Sequence, residues 1–172
     1  MVRRSISFGV LASLITVGLV ASQPAQAESH RMKHKIGILA GVLGDPYPSI
    51  ISGNVAYNVL DFLRVQAGYG TGSAAGITVN SLGIGVRALV PDWNFSPMVG
   101  VSFVSNTVTI DVSQFISAFN GFSVSGTTSS LYIPFGFDWQ TEGGFNLGFG
   151  ASLSTKVSQV LPYITIGWFF GS

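Results

Sequence analysis

The sequence predicts an all-β chain, an eight-stranded antiparallel up-and-down transmembrane β-barrel after a cleaved signal peptide. Three observations lead there. Between Leu131 and Ser154 the side chains alternate with a period of two. Leu131, Ile133, Phe135, Phe137 and Trp139 share one parity, and Tyr132, Pro134, Gly136, Asp138 and Gln140 the other, as along a β-strand. After Thr141 to Gly144 the pattern resumes, with Phe145, Leu147, Phe149, Ala151 and Leu153 opposite Asn146, Gly148, Gly150, Ser152 and Ser154. The second face lacks the Lys, Glu and Arg of a water-facing sheet. Small and polar residues there suit a narrow lumen, with the apolar face turned to lipid. Secondly, charged residues make up 9% of the chain, against about 25% in ordinary soluble domains, a deficit that lipid contact explains. Thirdly, glycine and polar residues interrupt every apolar run after the N-terminal region, so none offers the roughly 18 uninterrupted residues of a helical span.

Residues 1–27 form the expected signal peptide. Arg3 and Arg4 supply a positive start, Phe8 to Ala21 the apolar stretch, and Ala25-Gln26-Ala27 a small-residue cleavage pattern. Glu28 then begins the barrel domain, residues 28–172. The formal net charge is +1 for the whole chain and becomes −1 without Arg3 and Arg4. No basic patch points to nucleic acid. The chain has no cysteine, which excludes disulfides and thiolate metal sites.

Eight strands follow in order. The first, Lys35 to Leu43, sets Ile36, Ile38, Ala40 and Val42 against Lys35, Gly37, Leu39 and Gly41, and Asp45-Pro46-Tyr47-Pro48 ends it. The second, Ser52 to Leu60, alternates Val55, Tyr57 and Val59 with Asn54, Ala56 and Asn58. A tight turn at Asp61-Phe62 leads to the third, where Leu63, Val65, Ala67 and Tyr69 oppose Arg64, Gln66, Gly68 and Gly70, and Gly72 to Gly76 is expected as a loop. In the fourth, Leu82, Ile84, Val86 and Ala88 oppose Gly83, Gly85, Arg87 and Leu89; the opposite parity of Ile77 and Val79 predicts a bulge or a loop extension there. Pro91-Asp92-Trp93-Asn94 precedes the fifth, with Val99, Val101 and Phe103 opposite Gly100, Ser102 and Val104, and Asn106 to Thr128 is expected as a long connection. The Leu131 to Ser154 hairpin supplies the sixth and seventh. The eighth, Pro162 to Phe170, points Ile164, Ile166, Trp168 and Phe170 outward.

Connections are expected long or flexible after strands one, three, five and seven, and tight after two, four and six. Outer-membrane barrels place short turns on the periplasmic side, so both termini are expected in the periplasm. Tyr57, Trp93, Trp139, Phe145 and Trp168 fall near that end, where an aromatic girdle belongs.

The signal peptide, Tyr57-Asn58-Val59-Leu60-Asp61, the Val90-Pro91-Asp92-Trp93 turn and the aromatic last strand resemble small eight-stranded outer-membrane barrels of the OmpW/OmpA-like superfamily. The resemblance implies residence in the outer membrane of a Gram-negative-type envelope. It also implies that Ile164, Ile166, Trp168 and Phe170 form the signal read by the barrel-assembly machinery, although Gly171 and Ser172 follow where such chains usually stop.

Three functional classes follow. A non-enzymatic structural component or narrow, porin-like passive channel is the principal expectation. Arg64, Arg87 and Asp138, joined by Lys35, are all inward near the periplasmic end; they either pair and close the lumen or ring a water-filled pore. The inward glycines serve strand curvature or leave space. A laterally gated barrel for small apolar or lipid ligands is the second class. Pro134 and Pro162 flank strand seven, and Phe115, Phe119, Phe122, Tyr132 and Tyr163 are candidate ligand or loop contacts. The reading preferred to a gate is that Pro134 marks a bulge and Pro162 a strand start, the tolerated positions. A lipid-modifying enzyme is the third, but the histidines, His30 and His34, precede strand one, away from any outer serine that would need a base. The His30 to Lys35 segment is expected as a solvated periplasmic stretch. No cofactor or metal is expected; the expected partners are outer-membrane lipids, the assembly machinery and a small apolar ligand.

Overall fold

The computed structural model describes residues 29–42, 50–112, 123–156 and 160–171. The expected signal peptide and Asp45-Pro46-Tyr47-Pro48 lie outside them, as do Phe115, Phe119 and Phe122. A helix of four residues, α1 (His30–Lys33), precedes β1 (Ile36–Val42), β2 (Ile51–Leu60), β3 (Leu63–Ala74), β4 (Ile77–Leu89), β5 (Phe95–Asp111), β6 (Ser123–Gln140), β7 (Phe145–Ser154) and β8 (Val160–Phe170). Each strand is antiparallel to its neighbours, and β8 closes on β1 from Ile36↔Phe170 to Val42↔Ile164, giving a closed eight-stranded barrel in up-and-down order.

The period-two pattern becomes an inverted distribution of polarity. Ile38, Val55, Leu82, Ile84, Phe103, Ile166 and Trp168 project outward and are exposed, whereas Asn58, Arg64, Gln66, Ser102, Asp138 and Thr165 project inward and are buried. The lumen also holds three apolar clusters: Leu39, Ala56 and Phe169; Val104 and Tyr132; and Leu89, Met98 and Tyr163. Glycine makes room for the bulkiest of these. A Cβ on Gly37 would lie 2.6 Å from the Phe169 ring.

Several local expectations are corrected. The stretch from Gly72 is not a loop: β3 runs to Ala74, and Ala75 and Gly76, with φ of 47° and 77°, make the turn into β4. Positive φ at both central residues is the tight hairpin geometry whose twist matches the flanking strands. The connection after the third strand is therefore short. No bulge interrupts β4, since its register with β5 is continuous from Ile77↔Ile110 to Leu89↔Met98; Ile77 and Val79 simply keep the inner parity near the strand's far end. Much of the expected connection from Asn106 to Thr128 is strand, because β5 and β6 reach 17 and 18 residues. β1 has only 7, so the wall is tallest on the β5–β6 side. Pro134 marks no bulge either. Its pairing with β7 is unshifted, and on the other side the β5–β6 ladder lapses between Val99↔Phe135 and Ser102↔Tyr132 and resumes in the same register.

Candidate functional site

The inner side chains converge at the end of the barrel that carries α1 and the turns β2–β3, β4–β5 and β6–β7. Arg64, near the start of β3, and Asp138, near the end of β6, reach each other across the lumen because both have inner parity. Arg64 Nη1 donates to Asp138 Oδ2 at 2.6 Å and Nη2 to Oδ1 at 3.1 Å, a two-pronged pair with both side chains buried. This is the strong form of the charge-assisted hydrogen bond.

Neighbours complete the coordination. Arg64 Nε donates to Asn58 Oδ1 at 2.9 Å and Nη2 to Gln140 Oε1 at 3.0 Å. Asn146 Nδ2 donates to Asp138 Oδ2 at 3.1 Å. The guanidinium carbon lies 4.4 Å from the centroid of the Phe169 ring. Buried charge is costly unless paired and hydrogen-bonded, and each partner here meets that demand. Arg87 sits directly across from Arg64 in the β3–β4 register, with its guanidinium carbon 5.7 Å from the Tyr163 ring centroid.

Arg31 was expected in a solvated segment, but it is fully buried. Its Nη1 donates to the Val90 carbonyl at 3.0 Å and Nη2 to the Trp93 carbonyl at 2.6 Å, both in the β4–β5 turn. Ser29 Oγ donates to Asp61 in the β2–β3 turn, and His34 Nε2 lies 2.8 Å from the Glu142 carbonyl in the β6–β7 turn. Asn58 Nδ2 donates to the carbonyls of Arg31 and His34 at 3.2 and 3.0 Å. The segment from Ser29 to His34 therefore ties the three short turns together across the barrel mouth. Desolvation by burial, and secondarily the Arg31 charge, hold the His30 imidazole below the ordinary histidine range.

The other singled-out residues divide. Lys35 is half-buried at the entrance to β1 and takes no part in the Arg64–Asp138 ion pair. Tyr132 packs with Val104, and Leu161 rests against them, while Tyr163 packs with Leu89 and Met98 and donates weakly to the Met98 sulfur at 3.9 Å. The two tyrosines thus belong to separate buried clusters. Ile164, Ile166, Trp168 and Phe170 project outward and are exposed. Asn58, Gln140 and Asn146 were readable as inward by parity, but nothing in a linear pattern shows that they meet. Arg31 carried no periodic signal, since it precedes the strands.

The short-turn end also bears an outer aromatic belt. Phe95 stacks on Phe137 at 5.0 Å, and Phe145 bridges Trp139 and Trp168 edge-on at 5.9 and 6.1 Å. Among the described residues no group of three His, Asp or Glu side chains is placed to hold a metal ion, and no helix is long and apolar enough to cross a membrane.

No family model matches the sequence, and no curated protein does. Among solved structures, the N-terminal β-barrel domain of Pseudomonas aeruginosa OprF superposes with a TM-score of 0.59 at 11% identity, covering 79% of this chain and 96% of that one. Neisserial surface protein A (NspA) gives 0.46 at 15% identity, over 78% and 89% of the two chains. At such low identity the likeness to OprF is one of architecture: the chain has the small eight-stranded β-barrel fold of that domain.

Proposed function

We propose that this protein is an integral outer-membrane β-barrel, with both termini in the periplasm, serving as a non-enzymatic structural component whose lumen is closed at the periplasmic end. The observation that carries this reading is the inverted polarity. Every strand presents large apolar side chains outward while arginine, asparagine, glutamine and aspartate fill the interior, the arrangement of a barrel surrounded by lipid. An eight-stranded barrel is just wide enough for side chains to fill, and the bonded Arg64–Asp138–Asn58–Gln140 group beneath α1 supports closure over conduction. The ladders on both sides of β7 run unshifted through Pro134 and Pro162, which favours a sealed wall over a lateral gate. The exposed Ile164, Ile166, Trp168 and Phe170 are the proposed signal for barrel assembly; Phe170→Ala is expected to slow insertion in cells, seen as accumulation of unfolded chain.

Planar-bilayer recording of the refolded mature protein, beside Asp138→Ala, tests closure. A silent parent is expected, with openings in the variant. Discrete openings in the parent would overturn closure and favour the narrow channel.

A further inference from the structure

Beyond a closed lumen, the unequal heights of the wall leave one strand edge without a neighbour. β6 pairs with β7 only from Tyr132↔Ser154 onward, and the Thr155 N–H donates to the Leu131 carbonyl at 2.9 Å where that ladder ends. On its other side β6 stays paired with β5 up to Asp111↔Ser123. Among the described residues no strand therefore lies along the β7 side of β6 from Ser123 to Ser130. In an antiparallel ladder the N–H and C=O of one residue point to the same side, and the side alternates from residue to residue. Leu131 bonds on the β7 side, so Ser129, Thr127, Ser125 and Ser123 direct both groups to the open side.

The two faces of this edge differ. Up to Tyr69, Leu82, Phe103 and Leu131 the large apolar side chains take the outer parity, and beyond them the polarity reverses. On the outer face Thr71 Oγ1 donates to Asn80 Oδ1 at 2.8 Å, and the Thr107 and Thr127 hydroxyls lie 3.2 Å apart. On the inner face Ile77, Ile110 and Val124 form one row in register across β4, β5 and β6, exposed by 40%, 38% and 52%. Val79, Val108 and Gly126 form the next row. A Cβ on Gly126 would meet no atom within 4 Å, so the inner side of the edge is open. Folded sheets guard such edges with charge, proline or a bulge. Ser123 to Ser130 carries neither charge nor proline, and its register with β5 is unbroken. Lys156 Nζ donates to Thr128 Oγ1 at 3.4 Å, a contact on a flexible stem that leaves the main chain of the edge accessible.

We infer that β6 from Ser123 to Ser130 is a docking edge for an extended segment of another protein outside the cell, added to the sheet as a further strand. The two faces define that segment: low in charge, with apolar residues beside Val124 and Gly126 alternating with hydroxylated residues opposite Ser125 and Thr127. Placement outside the cell rests on the outer-membrane reading, and so does the choice of a foreign strand over a second copy. Copies in one membrane are related by an axis along its normal, so edges tilted by about 35–45° would cross at roughly twice that angle and form no ladder.

The test uses a short synthetic peptide alternating valine and threonine, added to the refolded mature protein in detergent micelles, with amide exchange followed by NMR. Without peptide the Ser125, Thr127 and Ser129 amides should exchange freely, while those of Val124, Gly126 and Thr128, on the β5 side, are protected. Peptide should slow the first set about tenfold at roughly ten times its Kd, and a peptide N-methylated at its threonines, which lacks the ladder donors, should not. Thr127→Pro removes only an amide aimed at the open side, a position where an edge strand tolerates proline, so the barrel should fold and the slowing be lost; Thr127→Ser should keep it. Equal slowing in Thr127→Pro, or by the N-methylated peptide, would overturn the assignment. So would protection of the three amides without peptide: lost on dilution, it would give the edge to a second copy, and undiminished, to this chain itself. Orientation is read separately, since Ser125→Cys should react with a membrane-impermeant maleimide on intact cells. Pairing in micelles without labelling on cells would contradict the membrane orientation and the outside partner, whereas labelling without pairing would contradict the docking edge.

Discussion

Asp138 determines how Arg64 can be buried. Removing one partner of a buried pair leaves an uncompensated charge, typically at a cost of about 3–5 kcal/mol, and here Arg87 stands directly opposite to aggravate it. Asp138→Ala is therefore expected to lower stability by that order in urea unfolding from detergent micelles; a variant as stable as the parent would refute the pairing account. Gly144 makes a second residue-scale demand. Its φ is +91°, and a Cβ there would lie 2.1 Å from the Phe169 carbonyl oxygen. Gly144→Ala should cost about 1–3 kcal/mol, measured in the same way. The inner parity of Arg64, Arg87 and Asp138 was legible from the alternating pattern. Which of them would meet was not, because contact across a lumen depends on the stagger of strands around the closed barrel, and a period of two says nothing about stagger.

At the scale of elements, α1 acts as a strap. Its four residues could not hold a helix alone; the contacts of Arg31, Ser29 and His34 with the three short turns hold it. Arg31→Ala should leave the barrel folded while abolishing amide-exchange protection in α1 and exposing the β4–β5 turn. Protection unchanged from the parent would show that the strap is held otherwise. The His30 shift adds a pH dependence with a definite sign. A histidine whose folded pKa lies below its unfolded value of about 6.5 binds more protons when released. Its contribution to strap stability is thus full above that value and is lost as pH falls towards the lowered folded pKa. Protection of α1 should decline below about pH 6.5 in the parent and lose most of that decline in His30→Gln. The strap was illegible in the sequence because a short basic segment before the first strand has the composition of a solvated tail. The carbonyls of Val90 and Trp93 at the barrel mouth, which accept from its guanidinium, are what hold Arg31 there.

Across the whole molecule, the strands and their closure were legible because one physical rule, alternation between two environments, repeats from Ile36 to Phe170. What escaped was length. Beyond Phe103 the apolar residues of β5 change sides, with Ser105, Thr107 and Thr109 on the outer parity and Val108 and Ile110 on the inner, while β6 before Leu131 carries Ser and Thr on both parities, so the pattern that marks a strand elsewhere is lost although the ladder continues to Asp111↔Ser123. The proposed lipid contact of the outer face implies that charge there is penalised. Ile84→Arg, at a site 56% exposed, should cost about 2–4 kcal/mol for insertion into vesicles, whereas on a water-facing surface it would be nearly neutral. The measurement that reaches this claim most directly uses the native tryptophans Trp93, Trp139 and Trp168, all exposed at the short-turn end. Their fluorescence is recorded after refolding the mature chain with vesicles of brominated lipids carrying bromine at shallow or deep positions along the acyl chain. The account predicts strong quenching, greater for the shallow bromine, as for an aromatic girdle at the membrane interface; emission unchanged by either lipid would contradict it.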